Sequence, residues 1–130
     1  MSAVRTIVVA YDDPESRTLA RAADLAEGLS ATLVVTNVAP PDHDSAEDVT
    51  HYGGDRLEQA RAYLAERGIE GEVVQSVGQP ADAIVALAEE RNADLIVVGM
   101  RKKGFFERLV EGSVAQNVMR RATCDVLAVH

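Results

Sequence analysis

The chain has no tryptophan, one cysteine and two lysines, and aromatic residues make up only 4% of its 130 positions. Without bulky rings, Ala, Val and Leu must fill the interior. Hydrophobic residues, at 47%, supply enough of them for one core. Small aliphatic side chains suit thin layers of helix on sheet. A lone cysteine, Cys124, excludes an intrachain disulfide and reads as an intracellular chain. No apolar stretch reaches membrane-spanning length. The run from Met1 to Tyr11 carries Arg5, lacks a small-residue cleavage pattern, and is too short for a signal or a span. Positive charge is also scarce: 13 basic residues stand against 21 acidic ones, a formal net of -8. A polyanion favours a basic face, so nucleic acid is not an expected partner. The charge favours solubility, and the expectation is a cytoplasmic chain with no membrane partner. No Ser/His/Asp or Cys/His constellation can be placed, and a Walker-type Gly-Lys-Ser/Thr is missing. Neither an internal repeat nor a linker divides the chain, which reads as one domain over residues 1–130.

What is present is alternation. Thr6 to Ala10 is a continuous apolar, β-branched run, as expected of a strand buried on both faces. Pro14 suits a first helical position with Asp13 as N-cap, and Leu19, Ala22, Ala23, Ala26 and Leu29 follow at helical spacing. Thr32 to Val38 reads as the second strand, ended by Pro40 and Pro41. Asp42 to Gly54 reads as a polar loop leading into a helix that carries Leu57, Ala60, Leu64 and Ala65 and stops at Gly68. A third strand is expected over Gly71 to Val77, then a helix from Pro80 with Asn92 as its stop. The fourth strand runs from Asp94 to Gly99. Ser113 opens the last helix with Gln116 at capping-box spacing, and Val126 to Val129 forms the last strand. Strand–helix alternation with short links predicts right-handed crossovers. The expected fold is α/β: a doubly wound, five-stranded parallel sheet with helices on both faces.

In such a sheet ligands bind beyond the carboxyl ends of the strands, where the strand order reverses. The first and fourth strands are expected to flank that point, which singles out Ala10 to Asp13 and Gly99 to Val114. The second segment holds both lysines, Lys102 and Lys103, with Arg101 and Arg108 nearby, and then Gly112 and Ser113 before a helix. Glycines admit a phosphate close to the backbone, and a helix N-terminus offers free N–H groups and a positive dipole end. A cationic loop there suits an anion; equally, it suits a solvated loop that balances Glu107 and Glu111.

The same segment resembles the glycine-rich motif of the universal stress protein family: Gly, two residues, Gly, nine residues, Gly, then Ser or Thr. Gly99, Gly112 and Ser113 match it in spacing. The opening Ile7 to Asp12 and the tail Ser113 to Val129 are also similar to the family, and the likeness covers essentially the whole chain. It implies a Rossmann-like fold of the adenine nucleotide alpha hydrolase-like kind and a cleft for ATP or a related adenine nucleotide, with Mg2+ as an optional companion. By position, Asp12 corresponds to an acidic residue that contacts the ribose. Ala10, Tyr11 and Val38 would line the adenine and sugar, and Gly99, Arg101, Gly112, Ser113 and Val114 the phosphates. The family also implies a homodimer paired through the last strand, which is expected at a sheet edge. One departure stands out. Lys102 occupies the second glycine position, unfavourable by roughly 1–2 kcal/mol if a positive φ is needed there; alternatively its ammonium meets the phosphate.

Three functions compete. The first is a regulatory adenine-nucleotide-binding stress protein, with at most slow ATP hydrolysis. The second is a dimeric interaction module that binds no nucleotide because of Lys102. The third is a small adenylyl- or phosphoryl-transferring enzyme. Other residues read blandly. Asp12 is a turn or cap residue if not a ligand. His43 and His51 lie among Asp42, Asp44, Glu47 and Asp48 at a spacing that fits no compact metal motif, so no metal site is expected. His130 has no assigned role. Cys124 reads as an inert, buried thiol, and Met100 and Met119 as packing residues. Phe105 and Phe106 would anchor their loop, or cover a cleft or partner surface.

Overall fold

A computed structural model describes residues 4–12, 16–39, 46–100 and 114–130, with the backbone alone for 46–54. The elements alternate along the chain: β1 (Thr6–Ala10), α1 (Thr18–Leu29), β2 (Thr32–Ala39), α2 (Ala46–Arg67), β3 (Gly71–Val77), α3 (Pro80–Glu90), β4 (Leu95–Gly99), α4 (Val114–Arg121) and β5 (Asp125–Val129). The five strands form one sheet in the order β3-β2-β1-β4-β5, and every pairing is parallel. The α/β doubly wound sheet expected from the alternation is therefore observed. The order reverses between β1 and β4, and β5 lies at an edge.

Two cores sandwich the sheet, because successive strand residues point to opposite faces. Ile7 and Val9 of β1, with Tyr11 just beyond it, pack with Leu19, Ala22, Ala23 and Ala26 of α1 and with Ala60 and Leu64 of α2. Val8 and Ala10 pack on the other face with Ala81, Ile84, Leu87 and Ala88 of α3 and with Val114, Ala115 and Val118 of α4. The three central strands are almost wholly aliphatic inside, each fully buried Val, Leu or Ile contributing about 1.5–3 kcal/mol. Alanine-lined helices let the layers approach closely.

The ends of α1, α2 and α3 follow one device. Ser30, Gly68 and Asn92 each adopt positive φ (55°, 67° and 53°), and the next residue's N–H returns to a carbonyl five residues back: Ala31 to Ala26, Ile69 to Leu64, Ala93 to Ala88. Gly68 and Asn92 were the expected stops.

Several boundaries differ from expectation. Helix α1 starts at Thr18, where the Ser16 hydroxyl accepts the Thr18 N–H at 3.0 Å; Asp13 and Pro14, the expected cap and first helical position, lie outside the described residues. Helix α2 begins at Ala46 and continues through Gly53 and Gly54. Strand β4 starts at Leu95, one residue later than expected; just before it, the Asp94 N–H donates to Thr6 O at 2.9 Å, and its carboxylate accepts the backbone N–H groups of Arg5 (2.8 Å) and Thr6 (3.1 Å). Leu29 and Met119 are about half exposed (47% and 48%). Met119 is thus not a packing residue, since the buried stripe of α4 runs through Val114, Ala115 and Val118 and leaves it to one side. Met100 does pack, partly buried against the α3/α4 core. Among the described residues no helix is long and apolar enough to cross a membrane.

Candidate functional site

The reversal point lies between the carboxyl ends of β1 and β4. Their pairing runs from Ile7 opposite Leu95 to Val9 opposite Val97. Continued by two residues, this offset sets Tyr11 level with Gly99.

Three of the residues singled out from the sequence are buried on one face of the sheet. Ala10, Val38 and Val114 belong to one buried cluster on the α3/α4 face, with Val114 opening α4. Tyr11 departs from them. Its side chain, 8% exposed, is buried on the α1/α2 face, where its hydroxyl donates to Gln59 Oε1 at 3.1 Å. Only its backbone stays at the rim, the N–H donating to Thr36 O at 2.8 Å. Asp12 is half-buried just past Tyr11. Arg101, Lys102, Gly112 and Ser113 lie outside the described residues, as do Phe105 and Phe106.

Gly99 has a packing reason to be glycine. A Cβ there would stand 2.7 Å from Thr18 Oγ1 and 3.7 Å from Ser16 Oγ. These two hydroxyls bond each other at 2.5 Å at the start of α1. Helix α1 therefore enters directly against the end of β4, in the gap that a glycine leaves.

Sequence reasoning passed over the groups that hold the β1 rim. Asn37 is 1% exposed within the apolar strand β2, and its Nδ2 donates to Tyr11 O at 2.9 Å. Arg56 of α2 donates through Nε to Asp12 O at 2.8 Å. Gln75 of β3 donates through Nε2 to Asn37 O at 2.8 Å. An amide inside an apolar strand was a visible signal for Asn37. Arg56 and Gln59 are hidden in the polar face of α2, and nothing local marks them.

Three perturbed titrating groups sit away from this rim. Asp94 is held below the usual carboxylate range by the backbone N–H groups of Arg5 and Thr6, at the amino end of β4. Glu72 is lowered by a two-pronged bond from Arg91, at 2.8 and 2.6 Å. Cys124 is pushed up by burial, with Asp125 and Asp94 adding to it. It lines a groove of about 370 Å3 with Ala88, Asn92, Ile96 and Thr123, at the opposite end of the sheet. Among the described residues no cluster of three or more His, Cys, Asp or Glu side chains could hold a metal ion. His43 lies outside those residues, and the side chain of His51 is likewise not described.

Residues 3–130 match the Universal stress protein family. A universal stress protein of Mycobacterium tuberculosis is 36% identical over 152 residues, an alignment that takes in 100% of this chain and 99% of the relative. Among solved structures, a universal stress protein in complex with cAMP superposes with a TM-score of 0.82 at 34% identity, covering 99% of each chain. The universal stress protein of Archaeoglobus fulgidus in complex with dAMP gives 0.79 at 29% identity, covering 99% of this chain and 100% of that one. The parallel sheet reversing between β1 and β4, the spacing from Gly99 to Ser113 and a match along nearly the whole length have one common explanation: the chain belongs to the universal stress protein family.

Proposed function

We propose that the chain binds an adenine nucleotide beyond the carboxyl ends of β1 and β4 and works as a regulatory binding protein rather than an efficient enzyme. The observation that carries this reading is the strand reversal itself: at the carboxyl ends of the sheet Ala10, Val38 and Val114 are buried in the α3/α4 core, and Tyr11 and Asp12 continue the chain from β1. That is an apolar floor for a base next to an acidic rim for a sugar, at the place where open α/β sheets take ligands. The relatives solved with cAMP and with dAMP support it, since both ligands share adenine, a pentose and one phosphate. In this reading Asp12 accepts from the ribose hydroxyls. Gly99, Arg101, Lys102, Gly112, Ser113 and the start of α4 surround the phosphates, with Mg2+ as a companion to polyphosphate only.

Lys102 favours a second reading, an interaction module without nucleotide, because it stands where the family motif has its second glycine. Titration calorimetry with AMP, cAMP and ATP, with and without Mg2+, separates the two. Saturable binding at micromolar to low-millimolar ligand supports the first, and no heat at millimolar ligand overturns it. Gain of ATP affinity in Lys102→Gly, from a wild type that binds none, would establish the second.

The proposal extends to a cytoplasmic homodimer paired through β5. Among the described residues β5 pairs with β4 alone, and an apolar edge favours pairing. A monomeric mass by light scattering at working concentration would remove that part.

A further inference from the structure

We propose that Asn37 and Arg56 are positioning residues: they clamp two successive carbonyls at the end of β1 and so aim Asp12 at the ribose. The inference rests on the nucleotide reading above and adds to it the parts that set its sugar preference.

The β1–β2 ladder ends at Ala10 opposite Thr36. Beyond it, residues 11 and 12 belong to no regular element. Both of their carbonyls are nevertheless held by side chains. Tyr11 O accepts Asn37 Nδ2 from β2, at 2.9 Å, and Asp12 O accepts Arg56 Nε from α2, at 2.8 Å. Holding two consecutive C=O groups restrains the two peptide planes that flank Asp12, and with them its backbone dihedrals. It therefore restrains the direction of the Asp12 Cα–Cβ bond. A half-buried carboxylate on an otherwise irregular stretch gains a defined aim from two separate elements.

Asn37 is unusual enough to need such a role. Strands disfavour asparagine, and valine would suit this apolar run. A fully buried amide is costly unless its groups are bonded. Here Nδ2 serves Tyr11, while the backbone carbonyl of Asn37 is tied to Gln75 Nε2. Gln75, Asn37 and Tyr11 thus form one polar row across the carboxyl end of β3, β2 and β1. Arg56 adds a chemically convenient feature: Nε, three carbons beyond Cα along the side chain from Cβ to Cδ, does the bonding. A glutamine has its Nε2 at the same place in the chain, and a methionine has a methyl there.

The test compares binding of AMP with binding of 2′,3′-dideoxy-AMP, which lacks the hydroxyls that Asp12 would receive. Wild type should prefer AMP, and Asp12→Ala should weaken AMP by roughly tenfold to a hundredfold while leaving the dideoxy compound nearly unchanged. Arg56→Met and Asn37→Val should each lose most of the AMP preference. Adding either to Asp12→Ala should weaken AMP no further, since both act through that carboxylate. Arg56→Gln should keep the preference although it removes the charge. Circular dichroism checks each fold, and if Asn37→Val does not fold, the Arg56→Met and Arg56→Gln pair decides. Equal weakening of both nucleotides, an Arg56→Gln that behaves like Arg56→Met, or losses that add to those of Asp12→Ala would each overturn the positioning role. A wild type that binds neither nucleotide overturns the nucleotide reading itself. One that binds both equally tightly leaves that reading standing and removes the ribose role of Asp12, and this inference with it.

Discussion

Replacing Gly99 with alanine should destabilise the protein, and in a background that already carries Thr18→Ala the same replacement should cost little. The added Cβ would lie 2.7 Å from Thr18 Oγ1, where ordinary contact begins at 3.4 Å, so about 0.7 Å must be found. Thr18 cannot easily provide it. It is 3% exposed, its hydroxyl is bonded to Ser16 at 2.5 Å, and its branched Cβ restricts χ1. The start of α1 must move instead, and overpacking of this kind costs about 1–3 kcal/mol. For a chain of this size that is roughly a 4–12 °C fall in Tm. Thr18→Ala alone loses a buried hydroxyl bond and a methyl group, about 1–2 kcal/mol together. In the double variant the clashing oxygen is gone, and Ser16 Oγ at 3.7 Å leaves ordinary room. The pair should therefore cost little more than Thr18→Ala, a coupling of about 1–3 kcal/mol. Urea unfolding followed by far-ultraviolet circular dichroism measures all three variants. Losses that add to within about 0.5 kcal/mol would refute the packing account of Gly99 and leave its glycine to the phosphate reading alone.

Other outcomes follow from single sites. Asp94 has its folded pKa lowered below the ordinary 3.8, so its contribution is complete above the unfolded value and fades as pH falls through the folded one. Asp94→Asn should therefore flatten the decline of Tm below about pH 4, and parallel wild-type and variant curves there would count against it. Gly28 sits within α1 with no atom within 4 Å of an added Cβ. Gly28→Ala should stabilise the protein by about 0.5–1 kcal/mol, and a lowered urea midpoint would contradict this. Cys124, raised above its ordinary 9.0 by burial, should react with a disulfide reagent at pH 8 more slowly than a free thiol. Its rate should still be climbing above pH 9, and a plateau below that value would be evidence against a raised pKa.

Local sequence carried most of the fold. The nine described elements follow the expected order, and β1, β2 and β4 were the plainest to read, because a strand buried on both faces has few polar positions to blur it. Gly68 and Asn92 stopped helices where expected, since glycine and asparagine tolerate positive φ at little cost. Ser30 did the same unannounced: serine has no such preference, and the capping bonds that hold it are decided by the whole turn. The start of α2 was obscured for a similar reason. Gly53 and Gly54 read as loop, yet a helix already secured farther on by Ala60 and Leu64 can extend through them.

The candidate site was legible in outline only. The chain order announced a strand reversal, and the residues after β1 and β4 were its natural flank. Pattern alone could not say that Tyr11 turns its ring to the α1/α2 face while Ala10 joins Val38 and Val114 on the other. Nor could it pair Asn37 with a carbonyl 26 positions away, or Arg56 with one 44 away. Period and propensity are properties of neighbours along the chain, so the sequence by itself determined the elements and their alternation. Which side chains meet at the rim depends on crossover handedness, sheet register and the depth to which helices settle, and those only the tertiary structure decided.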